Sequence, residues 1–243
     1  MNLEILPVRT AGAAENMALD FLLLQRHPGP GIARFRHYEW RGPAFTFGYA
    51  QKIAWVRGGL PPGERLDLCR RATGGGIVDH RDDWTYALVI PRGHALEEAR
   101  ASLSYRAVHD CLAAALRAQG VPVTLKPAAE AGPPAAGGPP APNPGTGICF
   151  ENAEIFDVVH AGTGEKIAGA AQKRNKHGLL FQGSIWRPAA GAVDWDKFHG
   201  DFTDRLAATL GATALRAPWP ELNEDEVSGL IEQYASPEWL EPR

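Results

Sequence analysis

A run of three glycines, Gly74 to Gly76, follows the pair Arg70-Arg71 and precedes an apolar, β-prone run from Trp84 to Ile90. Consecutive glycines let the backbone approach a ligand closely, and their N–H groups can face an anion. Two adjacent arginines can neutralise a phosphate. The segment therefore predicts a strand, a glycine loop and a strand, with the loop beside a phosphate-bearing substrate. An ordinary flexible turn is the alternative.

Several classes of protein are excluded by what the sequence lacks. It contains neither the Gly-x-x-x-x-Gly-Lys-Ser/Thr pattern of a phosphate-binding loop nor the Gly-x-Gly-x-x-Gly pattern of a dinucleotide fold. Lys plus Arg number 25 against 28 Asp plus Glu, so a net charge of −3 offers no basic surface for nucleic acid or an anionic membrane. No signal peptide or long apolar span is present, and we expect a cytoplasmic protein with no membrane partner.

Hydrophobic periodicity predicts short strands in the centre of the chain, with helices before and after them. We expect an α/β (α+β) fold in which helices pack on a mixed β-sheet, forming one domain over residues 1–243. The predicted helices cover 16–25, 97–119, 194–210 and 224–234. The predicted strands cover 32–38, 44–49, 84–90, 154–159, 166–172 and 178–186.

Residues 127–147 consist mostly of Pro, Gly and Ala, with Glu130 as their only charge. Such a composition cannot bury a core, so it predicts a flexible loop. The loop ends two residues before Cys149, which places this cysteine where a substrate has access.

Cys149 and Lys166 are the candidate catalytic residues. Lys166 stands before small apolar residues that leave room for a ligand, where an ammonium can hold a carbonyl or phosphate oxygen. A solvated lysine on an edge strand is the alternative. A nearby ammonium would lower the pKa of the Cys149 thiol and increase the thiolate available for attack on a thioester.

The remaining cysteines and the histidines point to no metal site. Cys69 and Cys111 read as structural residues on a strand and on the apolar stripe of a helix. The histidines lack metal-ligand spacing, so we predict no metal. His80 differs from the others because it follows the glycine loop and can shape a pocket.

Taken in order, several segments resemble the biotin/lipoate protein ligase and octanoyltransferase superfamily. They are a helix with Glu15-Asn16-Met17-Ala18-Leu19-Asp20, a strand at 45–51, the loop from Arg70 to His80, Trp84-Thr85-Tyr86, the lysine strand 166–172 and Gln182-Gly183-Ser184-Ile185.

The resemblance implies the catalytic-domain fold of lipoate ligases and octanoyltransferases. It also implies that Lys166 holds the acyl carbonyl, and that the substrate pocket is built from the glycine loop and its flanks. Of these, the resemblance implies that Arg71 and Gly76 through Asp79 line the pocket. The full set of candidate substrate-binding residues is Arg70, Arg71, Thr73, Gly74, Gly75, Gly76, Ile77, Val78, Asp79, His80 and Gly169.

Within this superfamily, Cys149-Phe150 shortly before the lysine strand resembles the cysteine-dependent octanoyltransferases. That branch implies an octanoylated acyl carrier protein as donor, with no cofactor required. The implied acceptor is a lipoyl-accepting domain, of the glycine-cleavage H protein or of a 2-oxoacid dehydrogenase E2 component. The segment from Glu151 to Phe156 departs from the Pro-Ser and Tyr-Glu pattern of that branch, so donor or acceptor choice can differ.

Two alternatives remain. The first is a lipoate–protein ligase that uses ATP and Mg²⁺ with an accessory domain on a separate chain, since only 57 residues follow Trp186. The second is a protein that binds acyl carriers without catalysis.

Overall fold

The computed structural model describes residues 1–63, 66–128 and 153–241. Nine of the described strands form one mixed sheet in the order β12-β1-β3-β7-β11-β10-β9-β8, with β2 paired to β3. Their bounds are β1 Asn2–Ile5, β2 Arg9–Ala11, β3 Ile32–Trp40, β7 Asp83–Pro91, β8 Val123–Leu125, β9 Val158–His160, β10 Lys166–Asn175, β11 Gly178–Trp186 and β12 Thr213–Arg216.

A second sheet of three strands lies apart from the first and carries the glycine loop. Its order is β5-β4-β6, with β4 parallel to β5 and antiparallel to β6. The bounds are β4 Ala44–Phe47, β5 Asp67–Arg70 and β6 Ile77–Asp79. Phe45, Phe47 and Ile77 pack with Val56 into a small core of their own.

Helices cover both faces of the large sheet. One face packs on α4 (Ala101–Ala118) and α6 (Trp195–Thr209), and the other packs on α1 (Ala13–Gln25) and α7 (Glu224–Ala235). The shorter described helices are α2 Ile53–Gly58, α3 Ala95–Glu98, α5 Arg187–Ala190 and α8 Pro237–Leu240. This arrangement confirms the predicted α/β fold with a mixed sheet.

Two predicted elements were wrong in detail. The single helix over 97–119 is divided, because the guanidinium of Arg174 donates to the carbonyls of Glu97 and Ala99 at 3.0 and 3.1 Å, and a continuous helix would use these carbonyls itself. The strand predicted at 154–159 begins only at Val158, because Glu154 to Asp157 form a turn closed by Asp157 N–H donating to the Glu154 carbonyl. The single domain over 1–243 stays a prediction, and residues 129–147 of the predicted loop lie outside the described residues.

Candidate active site

The glycine loop connects β5 to β6 and crosses the end of β4 at close range. A Cβ atom on Gly48 would lie 2.1 Å from the Gly75 carbonyl oxygen, so only glycine permits this crossing. Gly75 itself has φ +94°, which also favours glycine. The backbone N–H of Tyr49 donates to the Thr73 carbonyl at 2.8 Å and the Gln51 amide donates to Gly75 at 3.0 Å. The loop is therefore held by tertiary bonds to β4 and its exit.

Arg71 closes the loop from inside. Its guanidinium is buried and donates to the Thr46 hydroxyl at 2.8 Å. It also donates to the carbonyls of Gly74 and Gly76, at 2.9 and 3.1 Å. Arg71 thus joins the loop to β4 beside the cavity described below.

Arg70 turns the other way and does not line that cavity. Its guanidinium donates to the carbonyls of Trp239 and Leu240, at 2.9 and 2.7 Å, and to those of Tyr49 and Gln51. The Trp239 indole N–H returns a bond to the Arg70 carbonyl at 2.9 Å. Arg70 therefore fastens the segment around α8 to the base of the glycine loop.

A cavity that is partly open to solvent lies between the large sheet and the small one. Its floor is a row of directly paired residues on four adjacent strands, Gly169, Ser184, Thr85 and Tyr38. Adjacent strands lie about 4.8 Å apart, so this row extends for about 14 Å. This row, with small residues at the Gly169 end and a tyrosine at the other, is called the slot below.

The polar side chains along the slot bond to one another. Asp83 accepts from Nδ1–H of His80 at 2.7 Å, and in the neutral ring Nε2 of His80 then accepts from the Thr46 hydroxyl at 2.7 Å. The hydroxyls of Thr85 and Ser184 also donate to Asp83. Because their hydrogen bonds are directed at each other, the surface these groups leave to a ligand is largely apolar.

Lys166 lies at the Gly169 end of the slot. Its ammonium forms an ion pair with Asp157 at 2.8 Å, and both side chains are buried. A Cβ atom on Gly169 would lie 2.9 Å from Nζ of Lys166. Glycine at this position therefore leaves the space that the ammonium occupies, next to the cavity wall.

A second buried network ties the loop to α1. The Thr73 hydroxyl donates to the Gln182 side chain at 2.8 Å, and Gln182 donates to Asp20 at 2.7 Å. Burial raises the pKa of the Asp20 carboxyl, and the charge of Arg36, 3.4 Å away, opposes that shift. The hydrogen bond from Thr73 to Gln182 thus orients the glycine loop.

The candidate substrate-binding residues from the sequence fall into two groups. Arg71, Gly75, Val78, His80 and Gly169 line the cavity. The remaining ones do not: Ile77 packs in the small core, Asp79 binds Arg81 through both carboxylate oxygens, and Gly74 and Gly76 contribute carbonyls to Arg71. Cys149 lies outside the described residues.

The two other cysteines are buried and free of disulfide bonds, as the predicted structural roles require. Burial raises the pKa of the Cys69 thiol and that of Cys111, so neither thiolate is favoured near neutral pH. Among the described residues, no group of three His, Cys, Asp or Glu side chains is arranged to hold a metal ion. No described helix has both the length and the apolar character needed to span a membrane.

Several residues of the site were not predicted as site residues from the sequence, among them four buried polar ones. Thr46, Thr85, Gln182 and Ser184 are polar groups inside strands that are buried on both faces. The sequence pattern that could have identified them is a polar side chain at alternate positions of an otherwise apolar strand. Asp157, the partner of Lys166, carries no such signal, because its turn is defined by contacts with α4.

The catalytic-domain model of the lipoyl protein ligase A/B family matches residues 12–188, more than half of the chain. This chain belongs to the lipoyl protein ligase A/B catalytic-domain family. All the cavity-lining residues lie within the match.

Curated relatives of this family member include the octanoyltransferase LipM of Moorella thermoacetica, 32% identical over 172 residues that are 70% of this chain and 59% of the relative. The LipM of Oceanobacillus iheyensis is 35% identical over 177 residues, covering 71% and 59% of the two chains. The chain thus spans about three fifths of the length of these relatives.

Solved structures share the family fold. A lipoate–protein ligase A bound with ATP superimposes with a TM-score of 0.74 at 16% identity, covering 99% of this chain and 98% of the other. A bi-partite lipoate protein ligase from Thermoplasma acidophilum, studied with its E2 lipoyl domain, gives 0.72 at 17% identity, with 98% and 96% coverage. At these identities the likeness concerns the fold of the family catalytic domain.

Proposed function

We propose that this chain is an octanoyltransferase that passes an octanoyl or lipoyl group from an acyl carrier protein to a lysine of a lipoyl-accepting domain. The observation that carries the proposal is the slot of about 14 Å, with a largely apolar surface and the Lys166 ammonium beside Gly169 at one end. Such a slot suits a medium-length acyl chain whose carbonyl lies at the charged end. The family match and the LipM relatives support the same reaction.

The reaction proceeds in two transfers. The Cys149 thiolate attacks the thioester carbonyl of the octanoylated carrier, the carrier's thiolate leaves, and an acyl-enzyme thioester forms. The amine of the acceptor lysine then attacks this thioester, loses a proton, and releases Cys149 as the amide forms. The acceptor is the glycine-cleavage H protein or the lipoyl domain of a 2-oxoacid dehydrogenase E2 component.

Lys166 contributes positive charge in both steps. Its ammonium stabilises the oxyanion that develops on the acyl carbonyl, an effect worth about 3 kcal/mol for a well-placed donor. The same charge favours the thiolate of Cys149 over the thiol. Arg71, Val78 and His80 line the slot and so position the acyl chain of the substrate.

Intact mass spectrometry after incubation with octanoyl-acyl carrier protein, without ATP, tests the proposal. The wild type should gain one octanoyl group that hydroxylamine removes, and Cys149→Ala should gain none. Cys111→Ala is the matched control, because this thiol is buried on α4 and should leave labelling unchanged. If no variant is acylated, yet ATP with free lipoate yields AMP, the chain is a lipoate–protein ligase. Binding of the octanoylated carrier without transfer would instead indicate a non-catalytic carrier-binding protein.

A further inference from the structure

The ion pair between Lys166 and Asp157 is shielded from solvent on both sides. The Lys166 side chain is 4% exposed and that of Asp157 is 0% exposed, with Nζ and Oδ2 2.8 Å apart. A buried lysine favours its neutral amine unless a negative charge lies beside it. The carboxylate of Asp157 supplies that charge at the end of the slot.

Asp157 is held in place by further donors. The Tyr105 hydroxyl of α4 donates to Oδ1, and the backbone N–H of Glu154 donates to Oδ2 at 2.7 Å. The Tyr105 oxygen in turn accepts from the backbone N–H of Ala170 at 3.0 Å. Since Ala170 follows Gly169 on β10, Tyr105 connects the carboxylate to the strand that borders the cavity.

The backbone leading into Asp157 adopts an uncommon conformation. Phe156 has φ +68°, and it is the one residue other than glycine with positive φ in the described part of the chain. Its N–H donates to the Lys126 carbonyl at 2.9 Å, and its carbonyl accepts from His109 Nδ1 at 2.7 Å. Such conformations persist where surrounding contacts determine them, and they are concentrated at functional sites.

We propose that Asp157 and Tyr105 are positioning residues that keep Lys166 as an ammonium ion facing the acyl carbonyl. The inference rests on the proposed transfer reaction and assigns these two residues a role within it. An ammonium has three N–H donors, so its bond to Asp157 is compatible with a further bond to a carbonyl oxygen. Lys166 then acts as a fixed positive charge and does not serve as a base.

The titratable groups around Lys166 in the described part of the chain come from two elements. Asp157 approaches from the turn before β9, while Tyr105 and His109 approach from α4. Burial lowers the pKa of His109, so its ring is neutral near pH 7 and adds no competing positive charge.

The test measures the rate of acyl-enzyme formation from octanoyl-acyl carrier protein between about pH 6 and pH 9, for wild type, Asp157→Asn and Tyr105→Phe. Without the carboxylate, Lys166 loses its proton at lower pH. The Asp157→Asn rate relative to wild type should therefore fall as pH rises, reaching a loss of about 100-fold. Tyr105→Phe should show the same trend with a loss of about threefold to tenfold, since it weakens the positioning of the carboxylate without removing it.

Asp110→Asn is the matched control, because Asp110 is an exposed residue of the same helix that pairs with Arg106 at 3.5 Å. Its rate should follow the wild type at every pH. The proposal would be overturned if the ratio of the variant's acyl-enzyme formation rate to that of wild type does not change with pH, in protein with the thermal stability of wild type. If Asp157→Asn does not fold, the pH trend of Tyr105→Phe decides. A wild type that forms no adduct contradicts the transfer reaction and this role together, whereas a flat ratio with an active wild type contradicts this role alone.

Discussion

The two faces of the large sheet are built from alternate residues of the same strands, and they differ sharply in chemistry. On the α4 and α6 face, Phe35, Trp84, Tyr86 and Phe181 pack into a continuous apolar core. On the α1 face, the same strands carry several buried polar side chains: Tyr38, Thr85, Gln182 and Ser184 line the cavity, and Arg36 pairs with Asp20. Side chains alternate along a strand, so one set of strands specifies both faces.

The difference indicates a division of roles. Packing density on the aromatic face stabilises the sheet, and this allows the opposite face to carry buried polar networks and an open cavity. Changes on the aromatic face should therefore reduce stability, while changes beside the cavity should act on the reaction more than on the fold. The following predictions test this contrast.

The largest effect is expected from Lys166→Met, at the charged end of the cavity. Transfer should fall by about 100-fold to 1,000-fold, because the positive charge near the developing oxyanion is lost. The free energy of unfolding should also fall, by about 3 kcal/mol, because Asp157 is left buried and uncompensated. Adding Asp157→Asn should restore most of that stability without restoring transfer, as measured by urea unfolding and intact mass. Recovered transfer in the double variant would contradict the assigned charge.

On the aromatic face, Trp84→Ala should lower the free energy of unfolding by about 3 to 5 kcal/mol. Trp84 is 1% exposed, stacks on His37 at 4.3 Å and packs edge-on against Phe198 at 5.1 Å. At a temperature where the variant is folded, transfer per folded molecule should stay close to that of wild type. If transfer activity falls by more than the fraction of folded protein does, the two faces do not have the separate roles described above.

Acid should destabilise the aromatic face through His37. Burial lowers the pKa of His37 to about 4 from the ordinary value of 6.5. The unfolded chain binds this proton first, so stability from this residue is complete above about pH 6.5 and is lost as pH falls toward about 4. The loss is at most about 1.4 kcal/mol for each unit of pKa difference. The free energy of unfolding, measured with urea at several pH values, should fall less steeply with decreasing pH for His37→Phe than for wild type. An equal dependence on pH in both proteins would contradict the assignment.

A smaller effect on the free energy of unfolding is expected at Thr73, where the buried network of Gln182 and Asp20 contacts the glycine loop. Thr73→Val removes the donor to Gln182 and should cost about 1 kcal/mol, because a buried amide oxygen is left unpaired. Thr10→Val is the matched control, since its hydroxyl bonds to Glu39 at an exposed position and should cost much less. Similar costs in thermal unfolding would show that the buried bond contributes little to holding the loop.

The elements with strong local signals were predictable from the sequence. The predicted strand over 178–186 has the bounds of β11, and the predicted helix over 16–25 lies within α1. Elements defined by distant partners were missed, such as β1 and β12, which pair in parallel with each other. Their backbone pairing depends on residues more than 200 positions apart, which no local pattern reports.

The candidate site was predictable to a similar degree. The resemblance implied Lys166 and Arg71, and Gly169 was a further candidate. In the structure Arg71 and Gly169 line the cavity, and Lys166 lies beside Gly169. Adjacent arginines in the sequence gave no indication that Arg70 faces α8 while Arg71 faces the cavity. The sequence predicted a strand where the structure has the Asp157 turn. The turn depends on hydrogen bonds with the distant residues Lys126 and His109, which a local pattern does not report.

The contacts of Arg70 also bear on when the site is completed during protein synthesis. Its carbonyl partners at Trp239 and Leu240 lie 169 and 170 residues further along the chain. A ribosome makes about 5 to 20 residues each second, so the glycine loop waits on the order of ten seconds for this anchor. The base of the glycine loop thus reaches its final set of hydrogen bonds only after the segment around α8 has been synthesised.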